Sequence, residues 1–130
     1  MKEETIKEIK ELNEEIRKVI KQHSEENQKI ILDKDFVLDQ AKSNFSEKLI
    51  NEALIKGLHL KDNHLYPSNP NKKHKGKNYY CIYRYKENIF LVNYLLISYL
   101  KKDKIILFHI SPLRFGSKEQ KRYKEIIKNL

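Results

Sequence analysis

Residues 79–111 read YYCIYRYKENIFLVNYLLISYLKKDKIILFHIS, and this stretch decides the fold. Aromatic and β-branched runs are divided by two short polar breaks, Glu87-Asn88 and Lys101-Lys102-Asp103. Such side chains suit a pleated backbone, and breaks this short allow only an antiparallel return. The stretch therefore predicts three successive strands, Tyr79–Lys86, Asn88–Leu100 and Lys104–Ser111. The longest apolar run, Ile89–Leu100, is twelve residues long and is interrupted by Asn93 and Ser98. A membrane span needs about 20 apolar residues, so the run reads as a buried strand, and no membrane partner is expected.

Working outward from the strands, residues 67–78, PSNPNKKHKGKN, combine two Pro, one Gly and three Asn and form a loop. Before it, Leu58-His59-Leu60 and His64-Leu65-Tyr66 flank Lys61-Asp62-Asn63 and read as a small hairpin. Ser46 is placed to cap a helix over Glu47–Lys56, with Gly57 as its stop. Residues 25–42 also read as helical, with Ile30, Ile31, Phe36, Val37, Leu38 and Ala41 as apolar contacts. Residues 3–22 carry Ile6, Ile9, Leu12, Ile16, Val19 and Ile20 at helical spacing. The same helix places Asn13 on a possible coiled-coil seam, which leaves two readings, a helix packed on its own domain or a dimer helix. After the strands, Ser117-Lys118-Glu119-Gln120 is a capping box that opens a helix to Leu130, with Tyr123, Ile126, Ile127 and Leu130 as its packing stripe. The fold class is α+β: N-terminal helices, then a four-stranded antiparallel β-meander, then a C-terminal helix. Residues 1–44 form a helical region and residues 45–130 a basic α+β domain.

Charge follows that division. Residues 1–60 hold eleven Lys/Arg against thirteen Asp/Glu, whereas residues 61–130 hold sixteen against five. A basic half-chain attracts phosphate backbones or an acidic protein, and RNA is the expected partner. Cys81 is the only cysteine, so an internal disulfide and a cysteine metal cluster are excluded. With three glycines and no Gly-rich run there is no phosphate-cradling loop. Carboxylates are too sparse after residue 60 for a two-metal nuclease. No metal or cofactor is expected, and the charged N-terminus lacks the apolar stretch of a signal peptide, which points to the cytoplasm.

Strand alternation nominates the chemistry. In the last strand Ile106, Phe108 and Ile110 would face the helices, and Leu107, His109 and Ser111 the opposite side. His109 and Ser111, two apart on one face, can act on one ligand. Arg84 interrupts an aromatic strand and is a candidate phosphate clamp on the same open face, and neighbouring tyrosines such as Tyr80 could stack bases. Lys72, Lys73, His74, Lys75 and Lys77 make the densest basic cluster, suited to holding a phosphate backbone. Arg114, Lys118, Lys121, Arg122 and Lys124 form a second basic surface. His59 and His64 read as structural.

The segment Ile105–Tyr123, IILFHISPLRFGSKEQKRY, is similar to the end of BrnT- and RelE-type toxins, where a final strand is followed by a turn and a basic segment. Ser111, Arg114, Lys118, Lys121, Arg122 and Tyr123 stand in those places, with the acid Glu119 among them. Ser46-Glu47-Lys48-Leu49 through Tyr66, and the KGKNYY segment, resemble phage-encoded nucleases of the same group. Over residues 46–125 the chain thus resembles the barnase/EndoU/colicin-nuclease/RelE superfamily of small metal-independent RNases. The resemblance implies RNA cleavage by attack of the 2′-hydroxyl on the adjacent phosphate, in a toxin-like or phage-associated protein, with a cognate antitoxin or inhibitor as partner. It assigns His109 as base or acid, Arg84 as the cation, Ser111 as a hydrogen bond to phosphate and His74 or Lys75 as a contribution from the loop. Lys72, Lys73, Lys75, Lys77, Tyr80, Arg114 and Arg122 would bind RNA. One departure is that no Glu lies on the strands after Glu87, so the base is not a strand carboxylate. Two other function classes fit the same residues: nucleic-acid binding without cleavage, and a phage or host interaction protein that docks a partner, or dimerises, through residues 3–22.

Overall fold

The computed structural model describes residues 1–25, 31–32, 46–68, 78–99 and 102–130. Helix α1 (Glu3–Glu25) opens with Glu3 and Glu4 in its first turn, where carboxylates oppose the positive end of the helix dipole. Then come strand β1 (Ile31–Leu32), helix α2 (Glu47–Lys56), strand β2 (Leu58–Lys61) and the helical turn α3 (Asp62–Leu65). Strands β3 (Asn78–Tyr85), β4 (Asn88–Tyr99) and β5 (Lys102–Pro112) follow, and helix α4 (Lys118–Asn129) ends the fold. The architecture is α+β, with an N-terminal helix, a largely antiparallel sheet and a C-terminal helix. The sheet order is β1-β5-β4-β3-β2. Strands β2 to β5 run antiparallel in chain order, and β1 lies parallel to β5. Tyr85 pairs with Asn88, so Lys86 and Glu87 alone reverse the chain, and Lys86 takes a φ of 56° to do it.

Each face of the sheet has its own core. On one, Ile50, Ala53 and Leu54 of α2 pack against Cys81, Val92, Tyr94, Ile105, Leu107 and Ile110. On the other, Leu60, Tyr80 and Ile82 meet Leu65 of α3, Ile126 of α4 and Ile9 of α1. Helix α1 packs along β2 and serves both cores, because Val19 and Ile20 reach the first and Ile9 the second. Its buried stripe, Ile9, Leu12, Asn13 and Ile16, is thus used within the chain. Asn13 bridges to the strand: its Oδ1 accepts the His59 N–H at 2.8 Å and its Nδ2 donates to the His59 carbonyl at 2.9 Å. These are the two bonds a neighbouring strand would supply, so this amide completes the β2 edge where the heptad pattern had put a seam between helices.

Four other expectations change. The hairpin over 58–66 is a single strand followed by a helical turn. Asp62 starts that turn, Tyr66 N–H closes it onto Asp62 O, and His64 Nδ1 accepts the Lys61 N–H at 3.2 Å. Ile31 and Leu32, read as helical, pair instead with Ile106 and Leu107; the rest of that reading, 26–30 and 33–42, lies outside the described residues. In α4 the packing stripe is Gln120, Tyr123 and Ile126, while Ile127 and Leu130 stay 47% and 46% exposed.

The fourth change matters most for function. Strict alternation on β5 fails between Asn93 and Tyr94 of β4, where Asn93 pairs with His109 but Tyr94 pairs with Leu107. Phe108 is the extra residue of a β-bulge. Leu107 therefore joins Ile105 and Ile110 in the core, whereas His109 is exposed and Ser111 half-buried on the other side.

Two residues that invite chemistry belong to the core. His59 donates from Nε2 to Leu54 O at 2.8 Å and accepts the Tyr94 hydroxyl at Nδ1 at 2.6 Å. Burial pushes its pKa down to about 4, so it stays a neutral imidazole. The Cys81 thiol donates to Ala53 O at 3.0 Å, and burial pushes its pKa up, which keeps it protonated and unreactive.

Candidate nucleic-acid interface

Where β5 ends, the chain turns across the sheet into α4 and leaves a groove of about 480 Å³. Asn93, His109, Ser111 and Leu91 form its strand side, and Pro112, Leu113 and Arg114 follow the chain out of the sheet. Tyr80 of β3, which pairs with Asn93, extends the strand side, and Tyr66, Ser117 and Glu119 complete the lining. Local rules explain most of these placements. The register sets Ser111 beside Leu91 and His109 beside Asn93, and the bulge keeps both turned away from the α2 core. Leu113 N–H bonds to Ile89 O, so the chain stays tied to β4 for one more residue before it turns. The Ser117 hydroxyl caps α4 by accepting Gln120 N–H at 3.2 Å, while Gln120 Oε1 accepts Gly116 N–H at 2.6 Å. This is the predicted capping box with its return bond moved one residue outward. It sets Glu119 in the first turn of α4, facing the groove.

Two phenols of the groove are fixed by carboxylates. The Tyr66 hydroxyl donates to Glu119 Oε1 at 3.0 Å, and the Tyr80 hydroxyl donates to Asp62 Oδ1 at 2.9 Å. The two rings meet edge to face, 5.7 Å between centroids. Burial, and then the Glu119 carboxylate, push the Tyr66 phenol pKa up, so it remains a donor. Asn93 Oδ1 is buried without a hydrogen-bond partner among the described residues, on the groove floor opposite His109.

Of the residues nominated from sequence, the groove brings together His109, Ser111, Tyr80 and Arg114. Arg84 is exposed on their face of the sheet, level with Leu113, but is absent from the groove lining. It pairs with Ile89, four residues along β4 from the partner of His109, and lies two strands from β5. At about 3.3 Å per residue and 4.8 Å per strand, that is roughly 16 Å between backbones. Its charge acts instead near Tyr123, whose phenol burial raises and Arg84 partly lowers. Arg122 is directed inward: Nε donates to His64 O at 2.7 Å and Nη1 meets Glu125 at 3.4 Å. It fastens α4 to α3 and is absent from the groove lining. His74, Lys72, Lys73, Lys75 and Lys77 lie outside the described residues.

His59 and His64 are absent from the groove lining. His64 Nε2 donates to Glu8 at 3.3 Å, which ties α3 to α1. No trio of His, Cys, Asp or Glu is arranged to hold a metal ion among the described residues, and no described helix is long and apolar enough to cross a membrane.

Sequence reasoning missed Glu119, Tyr66 and Asn93. Glu119 was legible as an acid within a basic segment, and its place after Ser117 in the capping box was the available signal. Tyr66 comes from a segment read as a strand, and Asn93 was visible only as a polar break in an apolar run. Chemically, the groove presents an imidazole, a carboxylate, a guanidinium and a hydroxyl to one space. No protein-family model, curated protein or solved structure matches this chain.

Proposed function

We propose that the groove binds RNA and cleaves it without a metal ion, by attack of a 2′-hydroxyl on the adjacent phosphate. The observation that carries this reading is that His109 and Glu119 line one groove together with Arg114 and Ser111. The reaction requires a base to take the 2′-hydroxyl proton and an acid to protonate the departing 5′-oxygen, giving a 2′,3′-cyclic phosphate. Glu119 and His109 are a carboxylate and an imidazole suited to those two roles. Arg114 takes the place first given to Arg84 and offsets charge developing on phosphorus, and Ser111 donates to a phosphate oxygen. The basic half-chain and the resemblance of residues 46–125 to small toxin-like and phage RNases support the same reading.

The test is end-labelled RNA incubated with the purified protein in EDTA, beside His109→Ala and Glu119→Gln. Cleavage by the native chain should fall by about 10²-fold or more in each variant, the usual contribution of a general acid or base. Cleavage that persists in both variants would remove the groove as the active site. A second reading, RNA binding without cleavage, is favoured by the distance of Arg84 and by the Tyr66 bond already made to Glu119. Intact RNA bound with steep salt dependence would establish it instead.

A further inference from the structure

Phe115 is 91% exposed, while the next most exposed large apolar side chain among the described residues, Ile55, is 53% exposed. It contributes almost nothing to either core, yet the turn that carries it is firmly built. Gly116 takes a φ of +78°, with open space around the position of a Cβ, so the conformation alone requires glycine there. Ser117 N–H bonds to Arg114 O at 3.2 Å and Gln120 Oε1 holds the Gly116 N–H. The turn thus presents a ring outward from a fixed frame, one residue after the groove-lining Arg114.

A cation stands beside the ring. Lys124 Nζ stands 5.7 Å from its centroid, within the range of a cation–π contact. Lys118 and Lys121 on the same helix are exposed. An apolar protein partner would call for further apolar area beside the ring, whereas a ring in contact with one lysine, next to a helix with further exposed lysines, suits a flat base joined to phosphates. We infer that Phe115 is a stacking platform for a nucleobase at the mouth of the groove, so that the ligand is single-stranded RNA. In a duplex the bases are already stacked on one another and cannot reach it. The inference rests on the RNA reading above and adds the strandedness of the ligand and the residue that selects it.

The experiment uses the full chain and a fluorescent 2′-O-methyl RNA ten-mer, which lacks the nucleophile and cannot be cut, beside a duplex of the same sequence. Phe115→Ala should weaken single-strand binding about 5- to 150-fold, the effect of one base stacked on an aromatic ring at ~1–3 kcal/mol. Phe115→Trp should restore it, and duplex binding should change little. Thermal melting of each variant verifies the fold. Equal affinity of native and Phe115→Ala protein for the single strand overturns the platform, as does an equal loss on the duplex or no rescue by Trp. Those results leave the cleavage test untouched. Conversely, loss of binding in Phe115→Ala with no cleavage of natural RNA keeps the platform and removes the nuclease. Failure of the native chain to bind either oligonucleotide overturns both.

Discussion

Gly57 donates its N–H to Ala53 O at 2.7 Å, and a Cβ at this position would run into that carbonyl and the Cys81 sulfur. Its φ of −74° is open to any residue, so glycine is needed for the close approach of α2 to β3 and not for a left-handed turn. Gly57→Ala should therefore destabilise the fold by about 1–3 kcal/mol, the usual range for overpacking a filled core. Urea unfolding gives the number, and a midpoint unchanged within error would mean that the backbone moves aside at little cost. The helix stop was visible in the sequence, but the reason for it was not, because Cys81 lies 24 positions further along the chain and the sequence does not show that the two meet.

At the level of elements, one amide supplies polar bonds between α1 and β2 beside their apolar contact. Asn13→Ala would leave the buried His59 N–H and carbonyl without their partners, at about 1–3 kcal/mol for each orphaned group. Its expected destabilisation is about 2–6 kcal/mol by urea unfolding. Asn13→Asp should fall short of rescue, since it would accept from His59 N–H but oppose His59 O. A loss below 1 kcal/mol in Asn13→Ala would show that water replaces the amide. Elements set by local chemistry were legible: the α2 and α4 caps at Ser46 and Ser117, and the strands around the Lys86-Glu87 turn. Features that depend on a distant partner were not. The bulge at Phe108 follows from the fit of β5 to β4, and the alternation that groups Leu107 with His109 holds only in a regular ladder. The position of Arg84 likewise needs the register of three strands. The shared face of His109 and Ser111 was readable, while the guanidinium that lines the groove beside them, Arg114 and not Arg84 two strands away, came only with the fold.

For the molecule as a whole, acidity should act through the buried imidazoles. His59 is held down to about 4, against about 6.5 in an unfolded chain. Between those values the unfolded state binds the proton and the native state does not, so stability falls as pH drops from about 6.5 towards 4. His64 acts in the same direction, because burial lowers its pKa, with Glu8 working partly against that. Unfolding free energy should decrease by about 2–3 kcal/mol between pH 7 and 4.5 from His59 alone, at ~1.4 kcal/mol per pH unit. Urea titrations at both pH values measure it, and His59→Gln should flatten the slope. An equal slope in the variant would assign the acid sensitivity elsewhere. The way α1 lies against the sheet has a further consequence, for self-association. A border strand rich in backbone donors and acceptors is a template on which foreign strands can grow into filaments. At the β2 border the helix covers that template and Asn13 occupies its bonds at His59, so removal of α1 would turn a sealed margin into a nucleus for aggregation.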